Sequence, residues 1–336
     1  MLHGGGVTST DSAIVDEHWP TFDGAWRPDF GRMLENGYLL LEHSHRLIMA
    51  TVGVLVVICA IALLRIDRQR VIARRLGTLA AALVAVVSVL GGLTVLLGKW
   101  PPASVVHVAL AMLVVVALWS LVIVTGPWWF AAEARGEPRA TKRLLGFASA
   151  ALVAVYVQVV LGAIPRHATQ EFGGRAMVLI GDAIHIVFAL VVFATIVLAY
   201  LEVGRRYRKV GPLMRPAMLL VLLVVGQVIL GVVTFMEQPK DPPSQADLMV
   251  ISAAEAPGRG GAATDPSSES PRPAMSHVAS ASAHQAVGFV MLIASLFLTL
   301  RAARIHELSR RESGGGFDGD GDGCEGCEGG EPLAAS

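Results

Sequence analysis

The sequence is poor in charged residues and in cysteine, and both shortages limit the kinds of protein to which it can belong. Only 16% of the 336 residues are Asp, Glu, Lys or Arg, whereas soluble domains carry about 25%. Together with 54% hydrophobic residues and a mean hydropathy of +0.58, this predicts a membrane protein. The 27 basic and 27 acidic residues cancel, so the charge balance indicates no nucleic-acid partner. The cysteines, Cys59, Cys324 and Cys327, exclude a disulfide framework.

A signal peptide is also absent. Residues 1–30 contain neither a basic stretch nor the apolar run that follows it in secretory signals. Seven later runs are apolar and long enough to cross a bilayer core of about 30 Å as helices. They are residues 39–64, 76–97, 105–125, 144–164, 181–201, 214–236 and 282–301. We therefore expect an all-α, polytopic membrane bundle without a soluble domain.

The cations concentrate in alternate connections between these runs. The connections after the first, third and fifth runs hold Arg65, Arg68, Arg70, Arg74 and Arg75; Arg135, Arg139, Lys142 and Arg143; and Arg205, Arg206, Arg208, Lys209 and Arg215. The positive-inside rule places these connections in the cytoplasm. We expect the N-terminus of the chain outside, the C-terminus in the cytoplasm, and the whole protein in a bacterial cytoplasmic membrane.

Composition divides the chain into segments. We expect an outer N-terminal segment at 1–38, a first half-bundle at 39–130, a cytoplasmic linker at 131–143, a second half-bundle at 144–305 with an outer loop at 237–280, and a disordered tail at 306–336. The tail carries Cys324 and Cys327 as a CxxC pair, which alone does not complete a zinc site.

Four histidines lie near the outer ends of four different runs. They are His45, His107, His185 and His284. Anchoring at the membrane surface explains any one of them, but four at one depth favour a shared function. Polar residues inside a span indicate function, and neutral imidazole is an axial ligand of heme iron.

The histidine spacing indicates two equivalent halves. His45 and His107 are 62 residues apart, and His185 and His284 are 99 apart. The 37-residue difference equals the difference between the outer connections 98–104 and 237–280. Each half would hold one histidine pair in the core of its bundle, where helical bundles usually hold cofactors.

The intervening runs support this repeat. VSVLGGLT at 87–94, VQVVLGAI at 157–164 and GQVILGVVT at 226–234 share a polar residue, an apolar pair and small residues. Small residues allow close helix packing or the approach of a flat ligand. We expect Gln158 and Gln227 to form hydrogen bonds between helices.

The repeat also predicts a further helix. LGAIPRHATQ precedes the His185 run, whereas MLHGGGVTSTDSA stands in the corresponding place of the first half. The latter resembles the outer end of a helix whose body is missing. We therefore expect about 20 apolar residues upstream of Gly4, which would give eight helices in two four-helix halves.

The segment EHSHR at 42–46 combines a carboxylate with a predicted ligand. Glu42 and His45 are three residues apart and share a helix face. Glu42 is therefore a candidate acid, base or proton relay, or it forms a salt bridge with Arg46. The second half has the shorter Asp182 three residues before His185. His43 points away from His45 and is expected to take no part.

The chain at this point resembles the heme A synthase family (CtaA/Cox15 type). The resemblance covers residues 4–305 and rests on EHSHRLIMATVG, VH at 106–107, QVVLGAIPRHA, DAIHIVFAL, GQVILGVVT and AHQAVGF. Members have eight helices and oxidise the C8 methyl group of heme O to the formyl group of heme A, which supplies cytochrome oxidase. Some members have cysteine pairs in their outer loops, which this chain lacks.

The resemblance implies roles for individual residues. His185 and His284 would bind a resident heme b, and His45 and His107 would bracket the substrate heme O beside Glu42. Arg46 and Arg166 are candidate partners of the heme propionates. The four histidines would thus be iron ligands.

Two other functions stay open. One is a diheme b-type electron-transfer cytochrome, although a carrier that moves electrons across a bilayer needs hemes at two depths. The other is a heme transporter or chaperone without turnover. The expected partners are the lipid bilayer, heme O and its synthase, and an unidentified electron donor or acceptor. The oligomeric state is open.

Overall fold

The computed structural model describes residues 2–10, 12–66, 70–98, 100–169, 171–238 and 275–314. These residues form a helical bundle. Its elements are α1 (Leu2–Ser9), a 3₁₀ turn (Ser12–Ile14), α2 (Phe30–Glu35), α3 (Gly37–Ile66), α4 (Val71–Leu96), α5 (Pro101–Thr125), α6 (Pro127–Phe130), α7 (Pro138–Arg166), α8 (Gly174–Arg206), α9 (Gly211–Glu237) and α10 (Met275–Gly314).

Seven of these helices are long and apolar enough to span a membrane, which confirms the predicted all-α bundle. They are α3, α4, α5, α7, α8, α9 and α10. Each begins two to seven residues before the predicted apolar run, because helical hydrogen bonding continues into the polar residues at the membrane surface. Proline in the first turn of α5, α7 and α9 fits these starts, because its missing N–H has no partner there.

The last helix differs most from its predicted end. It continues to Gly314, so residues 306–314 are helical instead of part of a disordered tail. Glu307 bonds Arg304 at 2.9 Å and Arg311 at 2.5 Å, and such pairs one turn apart stabilise a helix that has left the membrane. The loop residues 239–274 and the pair Cys324 and Cys327 lie outside the described residues.

The helices pack as two neighbouring groups. In the second group α7 packs on α8 and α10, and α9 packs on α10. In the first, α4 packs on α3 and α5, while α5 also reaches α7 and α10. The large buried cluster lies in the second group, around Leu144, Ile196, Leu220 and Leu298.

Candidate functional site

The four histidines share one local structure. Each imidazole packs against a glycine of a helix that comes earlier in the chain. This helix is α1 for His45 on α3, and it is the immediately preceding helix for His107, His185 and His284. A methyl group built on the glycine would meet Cε1 of the ring at 3.2 Å for Gly4 and His45, 3.1 Å for Gly91 and His107, 2.8 Å for Gly162 and His185, and 3.1 Å for Gly231 and His284. A larger residue would have to push the ring back, by a few tenths of an ångström at Gly4, Gly91 and Gly231 and by more at Gly162. The small residues in the repeated segments therefore serve as platforms for the histidine rings.

The rings of the two second-half histidines lie close together, with their planes inclined by 67°. The ring centres of His185 and His284 are 6.2 Å apart. A histidine nitrogen lies about 2 Å from the metal ion that it binds and about 1 Å in front of its ring centre, so two imidazoles on one ion have centres roughly 6 Å apart. The pair therefore has the spacing of two axial ligands.

A glutamine supports each of these histidines. The Gln158 amide donates to the backbone carbonyl of His185 at 2.9 Å, and the Gln227 amide donates to that of His284 at 2.9 Å. The predicted hydrogen bonds between helices are thus present. Among the described residues, Nδ1 of both histidines is without a hydrogen-bond partner, whereas Nε2 lies 3.2 Å from the Gln158 amide nitrogen in His185 and 3.4 Å from the Gln227 amide nitrogen in His284. Iron bound at Nε2 would replace these two amide contacts.

The first half holds its histidines differently. Val87 stands four residues before Gly91, as Gln158 stands before Gly162. The Val87 carbonyl accepts a hydrogen bond from Nδ1 of His107 at 3.1 Å. Because Nδ1 then carries the proton, Nε2 of His107 presents a lone pair, the arrangement found in metal-bound histidine.

His45 has an aromatic neighbour that the sequence analysis missed. The His3 ring stacks on it with centres 6.0 Å apart and an interplanar angle of 17°. Nε2 of His3 is 2.8 Å from Oγ of Ser44 and 3.0 Å from the Leu41 carbonyl oxygen, which fixes α1 against α3. The position of His3, one residue before the platform glycine Gly4, was the available signal.

Glu42 is buried, with 3% of its surface exposed. Its Oε1 accepts a hydrogen bond from Nη2 of Arg46 at 2.5 Å, and its Oε2 accepts one from the backbone N–H of Asp16 at 2.9 Å. The salt bridge considered as an alternative for Glu42 is therefore formed. A proton-handling role stays a prediction, since the salt bridge does not exclude it.

Arg46 and Arg166, the candidate partners of the heme propionates, are both hydrogen-bonded to other parts of the protein. Arg46 donates from Nη1 to the carbonyls of His18 and Thr21, both at 2.9 Å. Arg166 donates to Oγ of Ser9 at 2.6 Å, which ties α7 to α1. A propionate would have to compete with or supplement these bonds.

The remaining acidic residues near the histidines differ between the halves. Asp182, the counterpart of Glu42, is hydrogen-bonded to Gln238.

Asp16, which the sequence analysis did not single out, is buried beside Glu42. Burial alone would raise the pKa of the Asp16 carboxyl, but hydrogen bonds from His43 and from the backbone N–H groups of Asp23 and His18, with the charge of Arg46, hold that pKa below its ordinary value. Asp16 is therefore a carboxylate at neutral pH.

No cluster of three or more His, Cys, Asp or Glu side chains that could hold a bare metal ion occurs in the described part of the chain. Two imidazoles supply only two ligands. A histidine pair therefore suits a metal that brings its other ligands with it, as heme iron does.

A model of the COX15-CtaA family, described as cytochrome oxidase assembly protein, matches residues 1–119 and 38–172, which together span half of the chain. This range contains His45, His107 and Glu42. No curated protein and no solved structure matches the chain.

Proposed function

The chain belongs to the COX15-CtaA family of cytochrome oxidase assembly proteins, the heme A synthase family, and we propose that it oxidises the C8 methyl group of heme O to a formyl group. The product, heme A, supplies cytochrome oxidase. The oxidation proceeds by successive hydroxylation, through an alcohol and a hydrated aldehyde. This conversion adds one oxygen atom and is a four-electron oxidation, so it requires an oxygen donor and an electron partner from outside the chain.

The observation that carries this proposal is the repeated histidine on a glycine platform. Four helices present an imidazole in the same way, and the second-half pair has the spacing of two axial ligands. We assign His185 and His284 to a resident heme b. When bound, this heme supplies one-electron chemistry that no amino-acid side chain provides as readily.

His45 and His107 are assigned to the substrate, heme O. Their helices α3 and α5 both pack on α4, so α4 lies between the two ligand-bearing helices. The Val87 carbonyl keeps Nε2 of His107 available as a lone pair, which orients the ring for iron.

Glu42 is assigned to proton handling. It lies one helical turn before His45 on α3, and its carboxylate is buried. Methyl oxidation releases protons, and a buried carboxylate beside the reacting group can hold or pass a proton. Arg46 balances the charge of Glu42 in the absence of substrate.

The orientation in the membrane forms part of the proposal. The four histidines lie near the ends of the spans that face away from the cation-rich connections. By the positive-inside rule these histidine ends face outward in a bacterial cytoplasmic membrane, and the C-terminus is cytoplasmic.

The test is expression in a host that makes heme O, followed by heme extraction and chromatography. We expect heme A from the wild-type protein. His185→Ala and His284→Ala should lose the resident heme, because a six-coordinate site does not survive loss of an axial ligand. His45→Ala and His107→Ala should keep that heme and lose the product.

A matched control is His306→Ala. His306 lies beyond the predicted membrane run, and its Nδ1 is 2.8 Å from Oγ1 of Thr141. This variant should keep both heme and product. Failure of the wild-type protein to make formyl heme while it retains heme would contradict the synthase assignment and favour a carrier or chaperone. Loss of all heme from the first-half variants alone would reverse the division between the halves.

A further inference from the structure

Residues 12–25 form a strap that joins α1 to α2 and lies over one end of the first-half bundle. At one point of the strap the indole of Trp19 lies so close to Gly92 of α4 that a methyl group on Gly92 would overlap it. Gly92 adjoins Gly91, the platform of the His107 ring. The strap therefore covers α4 next to the proposed substrate ligand.

The strap is attached to α3 through Asp16. The side chain of Asp16 has no exposed surface. Its carboxylate accepts hydrogen bonds from Nε2 of His43 at 2.9 Å and from Nη1 of Arg46 at 3.0 Å. It also accepts the backbone N–H groups of His18 and Asp23, both at 2.9 Å. One carboxylate thus organises the strap itself and joins it to two side chains of α3.

The same residue holds Glu42. The backbone N–H of Asp16 donates to Oε2 of Glu42 at 2.9 Å, and the carbonyl of Asp16 accepts from Nη2 of Arg46 at 2.7 Å. That Arg46 nitrogen also donates to Oε1 of Glu42. Both oxygens of Glu42 are therefore bonded to groups whose positions depend on Asp16.

Asparagine at position 16 would disturb this arrangement without changing its size. The amide group presents N–H donors where the carboxylate has an acceptor. At least one of the donors from His43, Arg46 and the strap backbone would then face another donor inside a buried site. Such a mismatch costs more than the loss of a surface hydrogen bond.

We propose that Asp16 is a positioning residue that anchors the strap to α3 and fixes the carboxylate of Glu42 beside the first-half histidine pair. This inference rests on the proposed function for the role of Glu42. The anchoring itself depends only on the contacts of Asp16.

The anchoring is tested by hydrogen–deuterium exchange of the purified full chain, followed by mass spectrometry of peptides that cover residues 12–25. In Asp16→Asn we expect the strap amides to exchange about tenfold faster or more, because several hydrogen bonds to a charged group are lost. The control is Asp23→Asn in the same strap. The Asp23 side chain pairs with Arg32 at the surface, so its substitution should leave the exchange unchanged.

The positioning is tested by product formation and heme content. Asp16→Asn should retain the second-half heme and make less heme A. In a Glu42→Asp background, which keeps a displaced carboxylate, adding Asp16→Asn should cause little further loss, because both changes misplace the same group. A merely structural role would instead lower heme content and product in every background.

The outcomes separate this inference from the proposed function. Unchanged strap exchange in Asp16→Asn overturns the anchoring. Faster exchange with full product formation, or independent losses in the double variant, overturns the positioning of Glu42. If the wild-type protein makes no heme A, the proposed function fails and the positioning role with it, while the exchange data still decide whether Asp16 anchors the strap.

Discussion

Adding a single methyl group at Gly162 should release the resident heme without unfolding the protein. In Gly162→Ala the new Cβ would lie 2.8 Å from Cε1 of His185, so the ring must retreat by roughly 0.6 Å to reach the 3.4 Å of an ordinary contact. Metal–ligand distances tolerate about 0.2 Å. The displaced ring therefore leaves the position that axial ligation requires.

The expected magnitude follows from the cost of overpacking. Inserting a methyl group into a packed site costs about 1–3 kcal/mol, which here appears as heme affinity weakened about 5- to 150-fold. The fold should survive, because the end of a histidine ring can move and alanine favours a helix over glycine by about 1 kcal/mol.

The assay compares heme content, the optical spectrum and thermal unfolding of the purified variants. Gly146→Ala is the matched control on the same helix, since a methyl group there would meet none of the described residues within 4 Å. We expect full heme content from Gly146→Ala and partial content from Gly162→Ala, with similar unfolding temperatures. Equal heme content and identical spectra in the two variants would refute the platform argument.

Two side chains of the site and the membrane orientation can be tested separately. Glu42→Gln should keep the second-half heme but lower heme A formation, because an amide cannot carry a proton and its NH2 group would face a donor, either the Arg46 guanidinium or the Asp16 N–H; undiminished product would overturn a proton-handling role for Glu42. Gln227→Leu should speed heme loss about 2- to 10-fold, since His284 loses one hydrogen-bonded support; an unchanged rate would show that the glutamine does not hold the histidine. A C-terminal fusion should be fluorescent with a cytoplasmic reporter and inactive with a periplasmic phosphatase, and the reverse pattern would contradict the proposed orientation.

The helices were predictable because hydropathy alone determines which segments cross a bilayer. All seven spans were found from the sequence. Their ends were not, because a helix continues into polar sequence for as long as its backbone bonds and side-chain pairs stabilise it. The continuation of α10 through Glu307 to Gly314 shows this limit.

The candidate site was predictable only in part. The four histidines lie at equivalent positions near the ends of their apolar runs, and a repeated motif contains the glycines that they pack on. Sequence position was therefore enough to recognise the four as one set. Asp16 carries no such mark, because its partners are 27 and 30 residues away at His43 and Arg46. His43 was expected to take no part because it points away from His45, yet that direction is what brings it to the strap. An irregular segment lacks the regular repeat of a helix, so its contacts cannot be predicted from residue spacing.

The packing of the two halves supports different residence times for their ligands. The second-half histidines lie beside the large buried cluster, on helices that pack extensively on one another. Movement of a ligand held between them would disturb the neighbouring core, which is unfavourable in a close-packed interior. Among the described residues of the first half, the buried cluster is small and lies around Val56, Ala80 and Ala117. A strap of irregular chain covers α4 at Gly92. Segments with few buried apolar contacts open more readily than packed cores. The proposed assignment of heme b to the second half and heme O to the first is compatible with this difference, because a heme that stays needs tighter packing than one that enters and leaves.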